Sequence, residues 1–98
     1  MSNDNQPLAV PTVFIDNERT RVTEWRFPVG SHTGWHRHEM DYTVVPIMDG
    51  ELKIVGPGGV ETVAELKLGV PYYRDCGVEH DVINNNDFEF AFIEVEIK

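Results

Sequence analysis

No stretch of a dozen residues in this chain repeats its apolar positions at i, i+3, i+4 and i+7, which argues against a fold built on amphipathic helices. The chain consists instead of short apolar or alternating runs, TVFI, RVTEWRF, TVVPIM, ELKIV, ETVAEL, VPYY, DVI and FEFAFIEVEI, broken by Gly, Pro, Asn and Asp. Period-two alternation suits half-buried strands, and punctuation at this frequency suits tight reversals. The nearest candidate for a helix, VETVAELKLG, is short and rich in β-branched residues, which favour the pleated surface of a sheet. The stretch GPGG at 56–59 joins two strand-like runs and predicts a hairpin, because glycine supplies the positive φ angles of tight turns. A second turn is predicted over 84–87. This rhythm belongs to an antiparallel sandwich or small barrel.

The last run changes phase: Phe88, Phe90 and Phe92 fall on even positions, Ile93, Val95 and Ile97 on odd ones. One clean inward face cannot hold both sets. Either a bulge intervenes near Phe92, or the strand is apolar on both faces and another subunit covers the outer one. The second option favours a homodimer.

At 98 residues, 41% apolar and 26% charged, the chain reads as one soluble domain. By surface-to-volume scaling it buries only about two-thirds of its unfolded surface, so a metal or a partner would add useful stability. The polar residues 1–10, with Pro7 and Pro11 nearby, are expected to form a loose arm or edge strand, and 11–98 the domain. An excess of 17 acidic over 8 basic residues gives a formal charge of −9, which repels phosphate backbones and anionic lipid surfaces. Nucleic acid and membrane are therefore not expected partners. There is no long apolar run, and MSNDNQP lacks the basic and apolar regions of a secretion signal, so a cytoplasmic protein is expected. The single cysteine, Cys76, excludes an intrachain disulfide and a CxxC site.

Three of the four histidines could converge on one ion. His36 and His38 lie two apart and leave the same face of an extended strand, and His80 must return from a distant segment. Imidazoles brought together from separate strands suit a transition metal, in a constellation unlike the helical HExxH motif.

These residues resemble the cupin superfamily. Its first motif runs Gly, five residues, His, one, His, three or four, Glu, six, Gly, and Gly30, His36, His38 and Gly50 match it with Thr43 at the Glu position. The second runs Gly, five, Pro, one, Gly, two, His, three, Asn, and Gly69, Gly77, His80 and Asn84 match it with Asp75 in place of the proline. The chain also looks like short bacterial single-domain cupins that carry the WHRHEMDY signature, some of them labelled β-alanine degradation proteins. The resemblance implies an all-β fold, a small antiparallel double-stranded β-helix or jelly-roll barrel. It also implies a divalent metal, commonly iron, manganese, nickel or zinc, held at the barrel mouth.

With Thr43 replacing the carboxylate, the implied ligand set is His36, His38 and His80, three neutral imidazoles on an ion that keeps its full charge. Such an ion would attract an anionic or enolisable small molecule. Asp41 or Glu39 could replace the lost carboxylate, although Glu39 has the opposite parity to the histidine pair. His32 shares that parity and could support the site from the rim, or stand exposed on the entering loop. Trp25, Trp35, Tyr72 and Tyr73 lie near the motif strands, and Trp25 and Tyr73 are carried as pocket residues. Arg26 and Arg74 are the cations suited to orient a carboxylate, provided they point inward.

Three functions stay open on this reading. The first is a metal-dependent enzyme acting on a small polar or anionic metabolite, for which three-histidine iron cupins set a dioxygenase precedent. The second is a non-catalytic binding or sensor module, and the third a metal-free structural barrel.

Overall fold

Strand alternation sorts the side chains into two antiparallel sheets whose inner faces share one core. The computed structural model describes residues 6–98. Nine strands occur among them: β1 Val10–Asp16, β2 Thr20–Phe27, β3 His36–Arg37, β4 Asp41–Pro46, β5 Gly50–Val55, β6 Glu61–Leu66, β7 Tyr72–Arg74, β8 Glu79–Ile83 and β9 Phe90–Ile97. One sheet has the order β1-β2-β9-β4-β7 and the other β3-β8-β5-β6. Phe27, Tyr42, Val44, Phe90 and Phe92 from the first sheet pack against Leu52, Leu66 and Val82 from the second. This is the antiparallel double-stranded β-helix that the sequence implied, and the only helical turn among the described residues is the short 3₁₀ turn Pro57–Gly59. That turn closes the β5–β6 hairpin, with Gly58 and Gly59 both at positive φ. No helix among the described residues is long and apolar enough to cross a membrane.

β9 resolves the phase change without a bulge. Its register runs unbroken against β2 from Thr20↔Ile97 to Phe27↔Phe90, and against β4 from Asp41↔Ile97 to Pro46↔Phe92. Phe90, Phe92 and Glu94 are buried on the inner side, so Ile93, Val95 and Ile97 face outward. The strand is apolar on both faces. On the outer face one row of cross-strand neighbours, Ile15, Val22, Val95, Thr43 and Tyr73, crosses all five strands. The bulge of this sheet lies in β1, between Val13 and Ile15.

Residues 1–5 of the expected arm lie outside the described residues. From Pro7 onward the chain is tied down, because the His32 N–H donates to the Pro7 carbonyl and the Ala9 N–H to the His32 carbonyl. β1 then forms the edge of the five-stranded sheet.

Two motif residues hold the barrel ends. Asn84 is 1% exposed, and its amide nitrogen donates to the carbonyls of Phe27, Pro28 and Phe88 while its oxygen accepts from Asn86. It thereby ties the end of β8 to the end of β2 and the start of β9 in a setting where unpaired polar groups would be expensive. Gly50 opens β5 directly beneath Phe90, and a Cβ built there would sit 2.6 Å from the phenyl ring. Phe90 is completely buried and has no room to retreat. Gly50→Ala is therefore expected to destabilise the fold by about 1–3 kcal/mol through overpacking. Urea denaturation checks this as a lower midpoint with an unchanged slope.

Candidate metal centre

The segment from Ser31 to His38 is zipped along β8, and this zipper sets where the histidines stand. His36 pairs directly with His80 across the β3–β8 ladder. On either side of that pair, the Thr33 N–H donates to the Val82 carbonyl and the His38 N–H to the Val78 carbonyl. Period two then carries His36 and His38 to the same face, where His80 meets them. The Nε2 atoms of His36 and His38 are 3.1 Å apart, as are those of His38 and His80. The three rings stand nearly perpendicular to one another, with interplanar angles of 69 to 86°.

This arrangement fits a transition metal. With metal–nitrogen bonds of about 2.0–2.1 Å, adjacent ligand nitrogens stand roughly 2.9–3.4 Å apart between octahedral and tetrahedral angles, and the observed 3.1 Å lies in that interval. The protonation pattern fits as well. His36 Nδ1 lies 2.9 Å from the Gly34 carbonyl, which can only accept, so Nδ1 carries the hydrogen and Nε2 keeps its lone pair. Gly34 presents that carbonyl from a backbone at φ +86°, a conformation that strains any residue with a Cβ. His38 is held at about 4 and His80 at about 3, below the usual imidazole range, first by burial and then because a proton on either ring would be repelled by any second proton in the cluster and by Arg74. Both rings are therefore neutral near pH 7, the form that binds a metal. His80 Nδ1 is buried without a hydrogen-bond partner.

Behind the histidines lies a supporting network. Asp81 accepts from the Gly34 N–H at 3.0 Å and binds the His32 ring at 2.9 Å. Thr33 donates its hydroxyl to the Gly34 carbonyl and accepts from the Val82 N–H. Asp81 thus fixes the loop whose carbonyl orients His36. His32 belongs to this network, buried at 8% exposure; it does not line the cavity, nor is it exposed on a loop.

The histidines form part of the wall of a cavity of about 300 Å³. Val44, Leu52, Ile54, Ala64, Val82 and Phe92 supply its apolar lining, and Trp25, Tyr42, Tyr72, Arg74 and Glu94 much of its polar lining. Tyr42 stacks on His38 with ring centroids 3.9 Å apart, and burial pushes its phenol up to about 12. Glu94 is 7% exposed; its Oε1 accepts from Trp25 Nε1 at 3.2 Å, while its Oε2 lies 3.9 Å from His38 Nδ1, too far for a hydrogen bond. Burial and the nearby Glu96 raise its carboxyl to about 7.

Several expected pocket residues stand elsewhere. Thr43 was expected inward at the carboxylate position. In β4 it is Tyr42, Val44 and Pro46 that are buried, so Thr43 faces outward and does not line the cavity. The inward residue there is Tyr42. Arg26 neighbours inward Trp25 in β2, so it faces out and pairs with Glu24 and Glu89. Tyr73 is exposed on the outer face while Tyr72 and Arg74 line the cavity, and Trp35 is exposed. Asp41 accepts from the Cys76 N–H, and neither it nor exposed Glu39 joins the three histidines. Glu94 and Tyr42 were not expected. Glu94 sits on the even phase of the last run, two after Phe92, and Tyr42 is the position reached when the motif spacer is three residues rather than four.

The double-stranded β-helix and the histidine cluster in the wall of its cavity define a cupin, and the chain belongs to the cupin superfamily. It is 52% identical over 93 residues to the β-alanine degradation protein BauB of Pseudomonas aeruginosa, covering 95% of this chain and 97% of that protein. A crystal structure of a cupin domain from Bordetella pertussis is 58% identical and superposes with a TM-score of 0.91, covering 95% of this chain and 96% of that one. An RmlC-like cupin with a double-stranded β-helix fold from Methanocaldococcus jannaschii is similar in fold at 18% identity, with a TM-score of 0.76 over 91% of this chain and 79% of that one. No family model matches the chain.

Two outcomes follow from this geometry. Asp81→Ala frees the Gly34 loop and is expected to weaken zinc affinity about tenfold, at the low end for a supporting residue; competition with a chelating dye measures it. For Glu94, the pKa rises from 4.5 to about 7 on folding, so its contribution is full below the unfolded value and is lost as pH climbs through about 7. Glu94→Gln removes that term, and the metal-free variant is expected to gain stability over the metal-free wild type between about pH 5 and about pH 8. Because both proteins share the histidines, the difference in denaturation midpoints isolates Glu94.

Proposed function

We propose that His36, His38 and His80 hold a divalent transition metal, iron, nickel, zinc or manganese, and that the protein acts on a small polar or anionic metabolite in the cavity above them. The observation that carries this reading is the convergence of three Nε2 atoms, 3.1 Å between neighbours, in the wall of a cavity of about 300 Å³. A bound divalent ion would supply Lewis acidity and, as iron, access to dioxygenase-type chemistry. The residues around it would do the rest. Gly34 and Asp81 hold His36 in the ligating tautomer, Tyr42 braces His38, and the aliphatic wall excludes water from the bound molecule.

Three neutral imidazoles leave the ion its full charge, because Tyr42 stays a neutral phenol and Glu94 lies on the Nδ1 side of His38, away from the converging Nε2 atoms. That charge favours an anionic group on the metabolite. The name of the Pseudomonas relative supports a role in the degradation of a small amino-acid-derived compound. The reading includes a single cupin domain over 11–98, a cytoplasmic location, and a homodimer. The apolar row Ile15, Val22, Val95, Thr43 and Tyr73 on the outer face supports the dimer.

Elemental analysis of freshly purified and reconstituted protein tests the reading, together with oxygen uptake by anaerobically iron-loaded protein against small thiols, diketones and amino acids. About one metal per chain, abolished in His36→Ala, is the expected result. Metal near zero after reconstitution would leave a structural barrel. Stoichiometric metal with ligand-induced thermal stabilisation and no turnover would assign the cavity to capture rather than catalysis.

A further inference from the structure

Besides the histidines, the cavity is lined by a basic and an acidic side chain that do not pair with each other. Arg74 on β7 makes no ion pair and no side-chain hydrogen bond among the described residues, although it lines the cavity and is exposed at its mouth. Glu94 on β9 lines the cavity and makes a single hydrogen bond among the described residues, from Trp25 to Oε1, which leaves its Oε2 without a hydrogen-bond donor. Sheet register fixes their separation. Glu94 pairs with Val44 and Val44 with Tyr72, so Glu94 and the row of Tyr72 stand two strands apart on one face. Arg74 lies two residues beyond Tyr72, opposite Tyr42. Two strand spacings of about 4.8 Å and two residue rises of about 3.4 Å put the two Cα atoms roughly 12 Å apart.

From this pair we propose that the cavity takes a short zwitterion, its carboxylate held by the Arg74 guanidinium at the mouth and its ammonium by the Glu94 carboxylate at the inner wall, with the carbon chain passing beside the three histidines. The proposal rests on the small-metabolite reading above and narrows it, because an anion without an amine would leave Glu94 buried and unpaired. A guanidinium matches a carboxylate in bidentate geometry, and an ammonium brings three donors to the free Oε2. Selectivity follows from what each partial ligand abandons. A simple carboxylate leaves a desolvated acid without a cation, and a simple amine brings a second cation toward Arg74 and a metal site. The 300 Å³ of space limits the ligand to a small molecule.

Calorimetric titration of the zinc-loaded full chain with β-alanine, propionate and propylamine tests this, with the metal content of every sample measured before and after. β-Alanine is expected to bind at least about tenfold tighter than either of the others, the factor that one charge-assisted hydrogen bond supplies. Glu94→Gln, which keeps an oxygen for Trp25, is expected to erase the advantage over propionate at unchanged metal content. Arg74→Gln is expected to erase the advantage over propylamine. Equal binding of propionate and β-alanine by the wild type would overturn the proposal, as would no binding of any of the three. Loss of metal in Glu94→Gln with the wild-type preference intact would also overturn it and make the carboxylate a support for His38. If the wild type itself takes up no metal, the metal reading fails, and the same three titrations of the metal-free chain still decide the charge pair.

Discussion

The site depends on how firmly one irregular segment is laid along β8. Only His36 and Arg37 of that segment form a regular ladder, and a ladder of two residue pairs has little stability of its own. It is extended by bonds from Asn84 N to the Ser31 carbonyl, from Thr33 N to the Val82 carbonyl, from His38 N to the Val78 carbonyl and from Gly77 N to the His38 carbonyl. The backbone from Ser31 to His38 is therefore paired along the whole of β8, and two histidines from one side and one from the other are delivered at fixed heights. Asp81 and Thr33 then fill the gap at Gly34, where the positive φ breaks the ladder and turns a carbonyl toward His36. Support for the histidine cluster and continuity of the sheet are one set of hydrogen bonds.

Much of this was readable from the sequence, and the limit has a physical cause. Within a continuous strand parity is reliable, so His36 with His38 and the β5–β6 hairpin follow from spacing, whereas the two apolar phases of the last run allow either a bulge near Phe92 or a strand apolar on both faces, and only the unbroken register of β9 decides between them. Parity does not survive a loop. Between His38 and Asp41 the chain leaves regular structure, and nothing in Glu39-Met40 says whether the next inward position is odd or even. The six-residue spacing to Gly50 selects Thr43, yet packing decides otherwise: Tyr42 finds the face of His38, whereas Thr43 joins Val95 and Tyr73 on the outside. The pairs Trp25 with Arg26 and Tyr72 with Tyr73 show the reverse case, since neighbours in one strand cannot both face the cavity. His32 follows neither rule. Its place comes from a bridge to Leu8 and Ile83 and an ion partner in Asp81, contacts between segments that no local pattern encodes.

Glu94 marks where the inner register of β9 stops serving the core and starts serving the cavity. Phe90 and Phe92 before it are buried among apolar neighbours, and the same parity then brings a carboxylate under Trp25 and beside His38. Burial of an acid with one hydrogen bond costs stability at neutral pH, and so does burial of His38 and His80 when they must gain protons in acid. The two costs grow in opposite directions with pH: the histidine cost has vanished above the ordinary imidazole value of 6.5, while the Glu94 cost builds from 4.5 and is complete above about 7.

A chain with so small a core has little margin for such groups, and the site itself can return what it removes. An ion that binds the native histidines and not the unfolded chain stabilises the fold in proportion to the logarithm of its concentration over its dissociation constant. The same linkage holds for any cation that meets Glu94. On the proposed reading, packing around the cavity would be only part of what holds the barrel together, because the network behind His36 would have its full value with a metal in front of it. The polar groups that cost the fold stability on their own, Glu94 and the buried histidines, are the ones through which a bound metal or cation would stabilise it.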